Sequence, residues 1–136
     1  MASVIYDKIL NTQAAAVFGT GTWKVLLTTA SYTEDKGAHA FRSSVTNEVS
    51  GTGYTAGGAT ITMTVSSLDT TNHRQEIILG SASWASSTIT ARKAVYYLST
   101  GNAATDTLAA CIDFGSDVST TGGTFNLNSS TMRHQN

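Results

Sequence analysis

The sequence contains no proline and only one cysteine among its 136 residues, and charged side chains make up 12% of it. A single cysteine, Cys111, excludes an intramolecular disulfide. Proline is one of the residues that protect the exposed edges of β-sheets. A β-rich chain without it leaves its edges open for pairing or covers them with neighbouring chains, so the absence of proline is a hint of assembly.

An excess of positive charge and long apolar segments are lacking too. The formal net charge is -1 and the isoelectric point is near 6.2, so the chain has no basic field of the kind that nucleic-acid binding requires. No stretch approaches the length that spans a membrane, and Asp7 and Lys8 interrupt the apolar residues near the N-terminus, unlike in a secretion signal. We therefore expect a soluble, unsecreted protein with neither a nucleic-acid nor a membrane partner.

What the chain does contain is serine and threonine, which together exceed a quarter of the residues. That composition suits strands with a polar face. The length is that of one ordinary domain, large enough to bury a core without metals or disulfides. We predict a single domain over residues 1–136, in which 1–21 form a helix or an extended arm, 30–58 a long loop and 129–136 a polar tail.

A helix near the N-terminus is indicated by apolar residues at spacings of three and four, which is typical of one helix face. Ser3 is the predicted N-cap, because serine favours that position, and Gly19 and Gly21 would end the helix. An extended arm is the alternative. The predicted apolar face consists of Val4, Ile5, Ile9, Leu10, Ala14, Val17 and Phe18.

Strands account for most of the rest. Residues 22–29 and 59–66 alternate apolar and polar side chains, which predicts half-buried strands. Further strands are predicted at 74–79, 87–98, 107–114 and 124–128, with turn residues at 69–72, 80–83, 101–106 and 115–123. Six to eight short strands favour a mainly all-β fold, an antiparallel β-sandwich or jelly roll, with one short N-terminal helix and a barrel as the alternative.

Between these halves, residues 47–58 form a polar stretch with four glycines. Gly51 and Gly53 formally match part of a dinucleotide-binding fingerprint, but that site needs a helix after the glycines. Here a strand is predicted instead, so we interpret the stretch as a structural loop. We expect Gly53→Val or Gly57→Val to damage folding or assembly.

Residues of catalytic type are few and scattered. Alternation places Cys111 on the strand face opposite Leu108, and no base is indicated near it. The three histidines form no pair with the spacing of zinc ligands. Glu76 and Asp113 could face each other, but surface exposure explains the carboxylates equally well. We predict no enzyme, and neither a cofactor nor a metal.

Aromatic residues offer a different kind of site. Sugar-binding sandwiches use exposed rings as platforms, and Trp84 with one of Tyr96 and Tyr97 is the candidate pair here. Adjacent strand residues point to opposite faces, so one of the two tyrosines should lie outward or at the rim. Core packing and a protein interface are the competing interpretations.

Several stretches, taken together, resemble a family of small structural proteins encoded near the head genes of tailed bacteriophages. The most specific is the stretch at 47–58, and the others follow in the same order along nearly the whole chain. The matching stretches are residues 6–8, 23–27, 31–33, 47–58, 87–92, 94–97 and 112–117.

The resemblance implies a virion component, made in the host cytoplasm and located on the capsid exterior. It would decorate the head as a cement protein, a dimer or trimer that bridges subunits of the major capsid protein. A neck, tail or head-fibre component and a carbohydrate-binding module for the host surface are the alternatives. The candidate assembly contacts are Glu34, Asp35, His39, Phe41, Arg42, Asn47, Glu48, Tyr54, Trp84, Tyr96 and Arg133.

Overall fold

The structure is a computed structural model that describes residues 3–135. Their regular elements are mostly strands in antiparallel sheets, with one α-helix, and the predicted fold class is confirmed. The elements are α1 (Asp7–Phe18), β1 (Thr22–Thr28), a 3-10 helix (Arg42–Ser44), β2 (Ala59–Ile61), β3 (Met63–Asp69), β4 (Arg74–Leu79), β5 (Ala82–Ser87), β6 (Thr90–Ser99), β7 (Thr107–Ser119), β8 (Gly123–Leu127) and β9 (Ser130–Gln135).

The described chain divides into two compact units. The first unit comprises residues 3–21, 62–81 and 128–135, and the second comprises 22–61 and 82–127.

In the first unit, α1 packs on a three-stranded antiparallel sheet of order β3–β4–β9. Leu10 and Ala14 are the buried residues of the helix, and Ile77 and Leu79 of β4 are buried in the same unit. Gln75 is fully buried beside them, where its side chain donates to the Ser66 carbonyl at 2.6 Å. A buried amide held in this way costs little, because its hydrogen bonds replace those to water.

The helix begins later than predicted. Tyr6 occupies the N-cap position and no side chain caps α1 there, so the prediction that Ser3 caps it is wrong. Its end at Gly19 is as predicted, with the Gly19 N–H bonded to the Ala15 carbonyl at 3.2 Å. The predicted apolar face is only partly buried, because Ile9 and Val17 remain 43% and 49% exposed.

In the second unit, a four-stranded antiparallel sheet has the order β2–β1–β6–β7, and β5 pairs with β8 in a separate two-stranded sheet. Leu26, Tyr32, Val95 and Tyr97 form a buried cluster in this unit. Aromatic rings link the two sheets, since Phe114 of β7 lies 6.3 Å from Phe125 of β8, measured between ring centroids.

A β-bulge in β7 corrects the prediction for Cys111. Tyr97 pairs with Leu108 but Val95 pairs with Cys111, so three residues of β6 face four of β7. The extra residue shifts the alternation. Leu108 and Cys111 therefore both pack against the buried cluster, and the prediction that they lie on opposite faces is wrong.

Several strand boundaries also differ from the prediction. The alternating stretch at 59–66 divides at Thr62 into β2 and β3, which belong to different sheets. β5 lies partly in a predicted connector, and β7 continues into another, to Ser119. The predicted polar tail instead forms β9 from Ser130. Serine-rich and charged strands carry little apolar periodicity, which is why the sequence did not indicate β5 and β9.

Candidate functional site

The long loop of residues 30–58 belongs to the second unit. Within it, residues 47–49 are bound to β1. The Thr29 N–H donates to the Asn47 carbonyl at 3.0 Å, and the Val49 N–H donates to the Leu27 carbonyl at 2.9 Å. These bonds continue the edge of β1 beyond the three residues that pair with β2. Residues 47–49 thus act as a short extra strand, and Asn47 itself is exposed on it.

An earlier part of the same loop, around the 3-10 helix, is bound to residues 103–108. The Arg42 N–H donates to the Asp106 carbonyl at 2.8 Å, and the Leu108 N–H donates to the Ala40 carbonyl at 3.0 Å. Phe41 lies between these bonds with its side chain 41% exposed. Because an unpaired buried backbone group is costly, such bonds hold a segment of this length in one path.

Glu48 joins the stretch at 47–58 to the sheet through Tyr54. Its Oε2 accepts from the Tyr54 hydroxyl at 2.6 Å and from the Gly57 N–H at 2.7 Å. The Tyr54 hydroxyl in turn accepts from the Leu27 N–H at 3.0 Å, and the buried Tyr97 hydroxyl donates to the Gly57 carbonyl at 2.5 Å. Burial raises the pKa of Tyr54 far above its ordinary value, and the bond to Glu48 raises it further, so the phenol stays protonated.

Two glycines let the loop lie directly against neighbouring backbone. Gly58 has a φ of +79°, and a Cβ there would lie 1.8 Å from the Val25 carbonyl oxygen. Gly53 has a φ of +80°, and its Cβ would lie 2.8 Å from the Ser87 Cα. Left-handed backbone in such close contact is available to glycine alone.

Arg42 and Asp106 form a largely buried ion pair next to this network. Arg42 Nε lies 2.7 Å from Asp106 Oδ2, and the carboxylate side chain is 1% exposed. The Arg42 guanidinium also stacks 5.1 Å from the ring centroid of Tyr97. Burial by itself raises the pKa of Asp106, but hydrogen bonds from Thr100 and Arg42 outweigh it, and the net direction is downward.

A second cluster lines a cavity of about 260 Å³ between the start of the loop and β7. His39 stacks on Tyr32 with ring centroids 5.8 Å apart. The Asp35 N–H donates to His39 Nδ1 at 3.3 Å, so that nitrogen is an acceptor and the Tyr32 hydroxyl donates to it at 3.0 Å. Cys111 also lines the cavity, and burial raises the pKa of its thiol to about 11.

Buried Lys93 holds the polar side of this cluster together. Its ammonium group donates to the Tyr32 carbonyl at 2.8 Å and pairs with Glu34. The hydrogen bond from Lys93 holds the pKa of Glu34 below its ordinary value. Asp35 accepts from the Ala38 and Gly37 N–H groups, which lower its pKa.

The remaining candidate residues are Trp84, Tyr96 and Arg133. Trp84 is 6% exposed and packs against Tyr54 and Phe125, while Tyr96 is fully buried. Tyr97 is buried as well, so the prediction of an outward tyrosine, and with it the exposed ring platform, is wrong. Arg133 lies in the first unit on β9, where its Nε is 3.4 Å from Glu76 Oε1.

Sequence reasoning missed several residues that organise both clusters, namely Tyr32, Lys93, Tyr97 as a loop anchor, and Asp106. Arg42 and Asp106 are 64 positions apart in the sequence. No local periodicity reveals such a partner. A fully buried carboxylate in a turn-rich connector has no signal in a single sequence.

No family model, no curated protein and no solved structure matches the chain. Within residues 3–135, no group of three or more His, Cys, Asp or Glu side chains is placed to hold a metal ion. No helix in that range is long and apolar enough to cross a membrane.

Proposed function

We propose that the protein is a non-enzymatic component of a bacteriophage virion, a decoration or cement protein on the capsid exterior that bridges neighbouring subunits of the major capsid protein. The proposal begins from the resemblance of the sequence to small phage structural proteins. The observation that carries it is the loop at 47–58, which is tied to the sheet on its inner side while its outer side chains face solvent.

Such a loop suits binding to a large folded partner. The inner side is held by Glu48, Tyr54 and Gly58, whereas Ser50, Thr52 and Thr55 are exposed. A contact loop that is already ordered loses little conformational entropy when it binds. A cement protein would stabilise the assembled shell by mass action, because it binds the shell and not its free subunits.

A second exposed region, in the first unit, supports an assembly role. Val4, Ile5 and Tyr6 precede α1 with 76%, 54% and 79% of their surface exposed. Consecutive apolar residues exposed in this way are typical of interaction segments.

The proposal is tested by mixing the purified protein with expanded heads that lack it. We expect co-sedimentation with the heads and a higher temperature of shell disruption. The variant Thr55→Arg adds a bulky charge to the exposed side of the loop at 47–58 and should weaken binding, while Ser116→Arg, at an exposed position of β7, should not. Heads that neither bind the protein nor gain stability would reject the cement role.

The same preparation separates the alternatives. Binding to isolated necks or tails but not to heads would assign the protein to those structures. A glycan-binding titration of the free protein should give no saturable response, since the rings of the supposed sugar platform are buried.

A further inference from the structure

The strand β9 is a regular, unprotected edge of the sheet in the first unit. It pairs with β4 over six consecutive positions, from Arg74 with Gln135 to Leu79 with Ser130, without a register shift. The opposite edge strand, β3, is interrupted by a shift between Val65 and Leu68. Bulges of that kind are a device by which proteins discourage edge-to-edge pairing.

The edge strands of the second unit, unlike β9, are short or have register shifts. β2 is only three residues long, β7 has two register shifts against β6, and the pairing of β5 with β8 is shifted between Trp84 and Ser87. Proline, the other common edge protection, is absent from the sequence.

The direction of the backbone groups on β9 follows from the bonds of β4. The Glu76 carbonyl accepts from the Ser66 hydroxyl of β3 at 2.9 Å, and the Gly80 N–H donates to the Thr62 carbonyl at 2.8 Å. Even-numbered residues of β4 therefore point their backbone groups toward β3, and odd-numbered ones point toward β9.

On β9 the same alternation leaves a row of groups facing outward. Gln75, Ile77 and Leu79 lie opposite His134, Met132 and Ser130, which use their N–H and C=O groups toward β4. The corresponding groups of Thr131, Arg133 and Gln135 then point to the open side, where no further strand pairs with β9 within residues 3–135.

An apolar stripe of the helix lies beside this edge. His134 Nε2 of β9 lies 2.9 Å from Gln13 Oε1 of α1, which places that side of the helix over the strand. Ile9 and Val17 are four residues before and after Gln13, so they share its face. Both are exposed, by 43% and 49%.

We propose that a second copy of the chain occupies this surface, with β9 pairing antiparallel to β9 of the partner about a two-fold axis and the two α1 stripes flanking the join. Directly opposed residues of antiparallel strands lie on one face. A join centred on Met132 places the two Met132 side chains together on the helix face and sets Thr131 opposite Arg133 of the second copy.

The other compact register, centred on Arg133, would oppose two guanidinium groups directly, and like charges in that position are destabilising. The Met132 register instead pairs the outward N–H and C=O groups of Thr131 and Arg133 in both directions. An interface in which each copy contributes the same patch is the commonest form of homodimer. The residues of the proposed dimer contact lie in the first unit, whereas the loop at 47–58 belongs to the second.

The first test measures the mass of the free full-length protein by light scattering and its dissociation constant by analytical ultracentrifugation. Arg133→Pro removes an outward N–H without affecting the ladder to β4, and Arg133→Ala is the matched control that keeps it. We expect a wild-type dimer, an unchanged dimer for the alanine variant and a dissociation constant raised roughly thirtyfold for the proline variant. A monomeric wild type, or a proline variant as dimeric as the alanine one, would overturn the proposal.

The second test checks the register and does not depend on proline. In a Cys111→Ala background, Met132→Cys should form a disulfide-linked dimer under mild oxidation, because opposed residues of a non-hydrogen-bonded pair are close enough for a disulfide. Arg133→Cys should cross-link far less, because its two thiols would be diagonal neighbours. Equal or reversed yields would contradict the Met132 register.

Discussion

The hydroxyl of Tyr54 lies 2.6 Å from Oε2 of Glu48 and donates its proton to it, while its oxygen accepts the Leu27 N–H at 3.0 Å. One phenol thus connects the loop at 47–58 to itself and to the edge of β1. Because the group is largely buried, its loss would leave both the carboxylate and the N–H with fewer partners.

The variant Tyr54→Phe should therefore lower the free energy of unfolding by about 1–3 kcal/mol. Urea denaturation followed by tryptophan fluorescence measures the change. Tyr6→Phe is the matched control, since Tyr6 is 79% exposed, and it should leave stability unaltered. If both variants unfold at the same urea concentration, the hydrogen bonds of the Tyr54 hydroxyl contribute nothing to stability.

The glycines of the loop permit a test of close packing apart from backbone strain. Gly58 and Gly101 both have a positive φ, of +79° and +88°, but a Cβ at Gly101 would meet nothing within 4 Å. Gly101→Ala should cost about 1–2 kcal/mol, the strain of a left-handed alanine. Gly58→Ala should cost roughly 2 kcal/mol more, because its methyl group would meet the Val25 carbonyl.

Urea midpoints of these two variants and of Gly53→Ala provide the comparison. We expect the cost of Gly53→Ala to lie between the costs of the other two variants. Its Cβ would lie 2.8 Å from the Ser87 Cα, which is a less severe overlap than at Gly58. Equal costs at Gly58 and Gly101 would mean that the loop moves away from β1 at no cost.

The sequence predicts individual strands better than it predicts their partners. The alternation at 59–66 correctly separates buried Ile61 from its exposed neighbours Thr60 and Thr62. However, β2 and β3 pair in different sheets on either side of Thr62. Periodicity reports which face is buried, because burial depends on the side chain. It contains no information on which strand lies alongside, since backbone hydrogen bonds are the same for every residue but proline.

The candidate sites were predictable only where the residues are neighbours in sequence. Glu48, Tyr54 and Gly57 lie within ten positions, and the glycine-rich stretch marked them. The pair Arg42 and Asp106 required the folded chain, and one extra residue in β7 was enough to turn Cys111 toward the core. Bulges and long-range ion pairs leave no periodic trace, so these parts of the site needed the structure.

The thiol of Cys111 should react slowly with thiol reagents at neutral pH. Burial raises its pKa to about 11, whereas an exposed cysteine has a pKa of about 8.5. Only the thiolate reacts, so labelling of the native protein at neutral pH should be roughly three hundredfold slower than labelling in urea. The native rate should also rise about tenfold per pH unit between roughly pH 7 and 9.5. A native rate that levels off near pH 8.5 would show an ordinary thiol.

The buried ion pair of Arg42 and Asp106 should make stability depend on acid pH. Although burial raises the pKa of Asp106, the hydrogen bonds from Thr100 and Arg42 lower it overall. A carboxyl group whose pKa is depressed in the folded state stabilises the protein above its unfolded pKa of about 3.9, and that contribution is lost as pH falls through the lower folded value. The free energy of unfolding of Asp106→Asn should thus be about 1.5–3 kcal/mol lower than that of the wild type at pH 7. This difference in free energy should shrink below about pH 4.

Urea denaturation across this pH range measures the effect. Asp117→Asn, whose side chain is 56% exposed, is the control that should differ little from the wild type at pH 7. A difference between Asp106→Asn and the wild type that stays constant from pH 7 to pH 3 would mean that the ionised carboxylate adds nothing to the stability of the second unit.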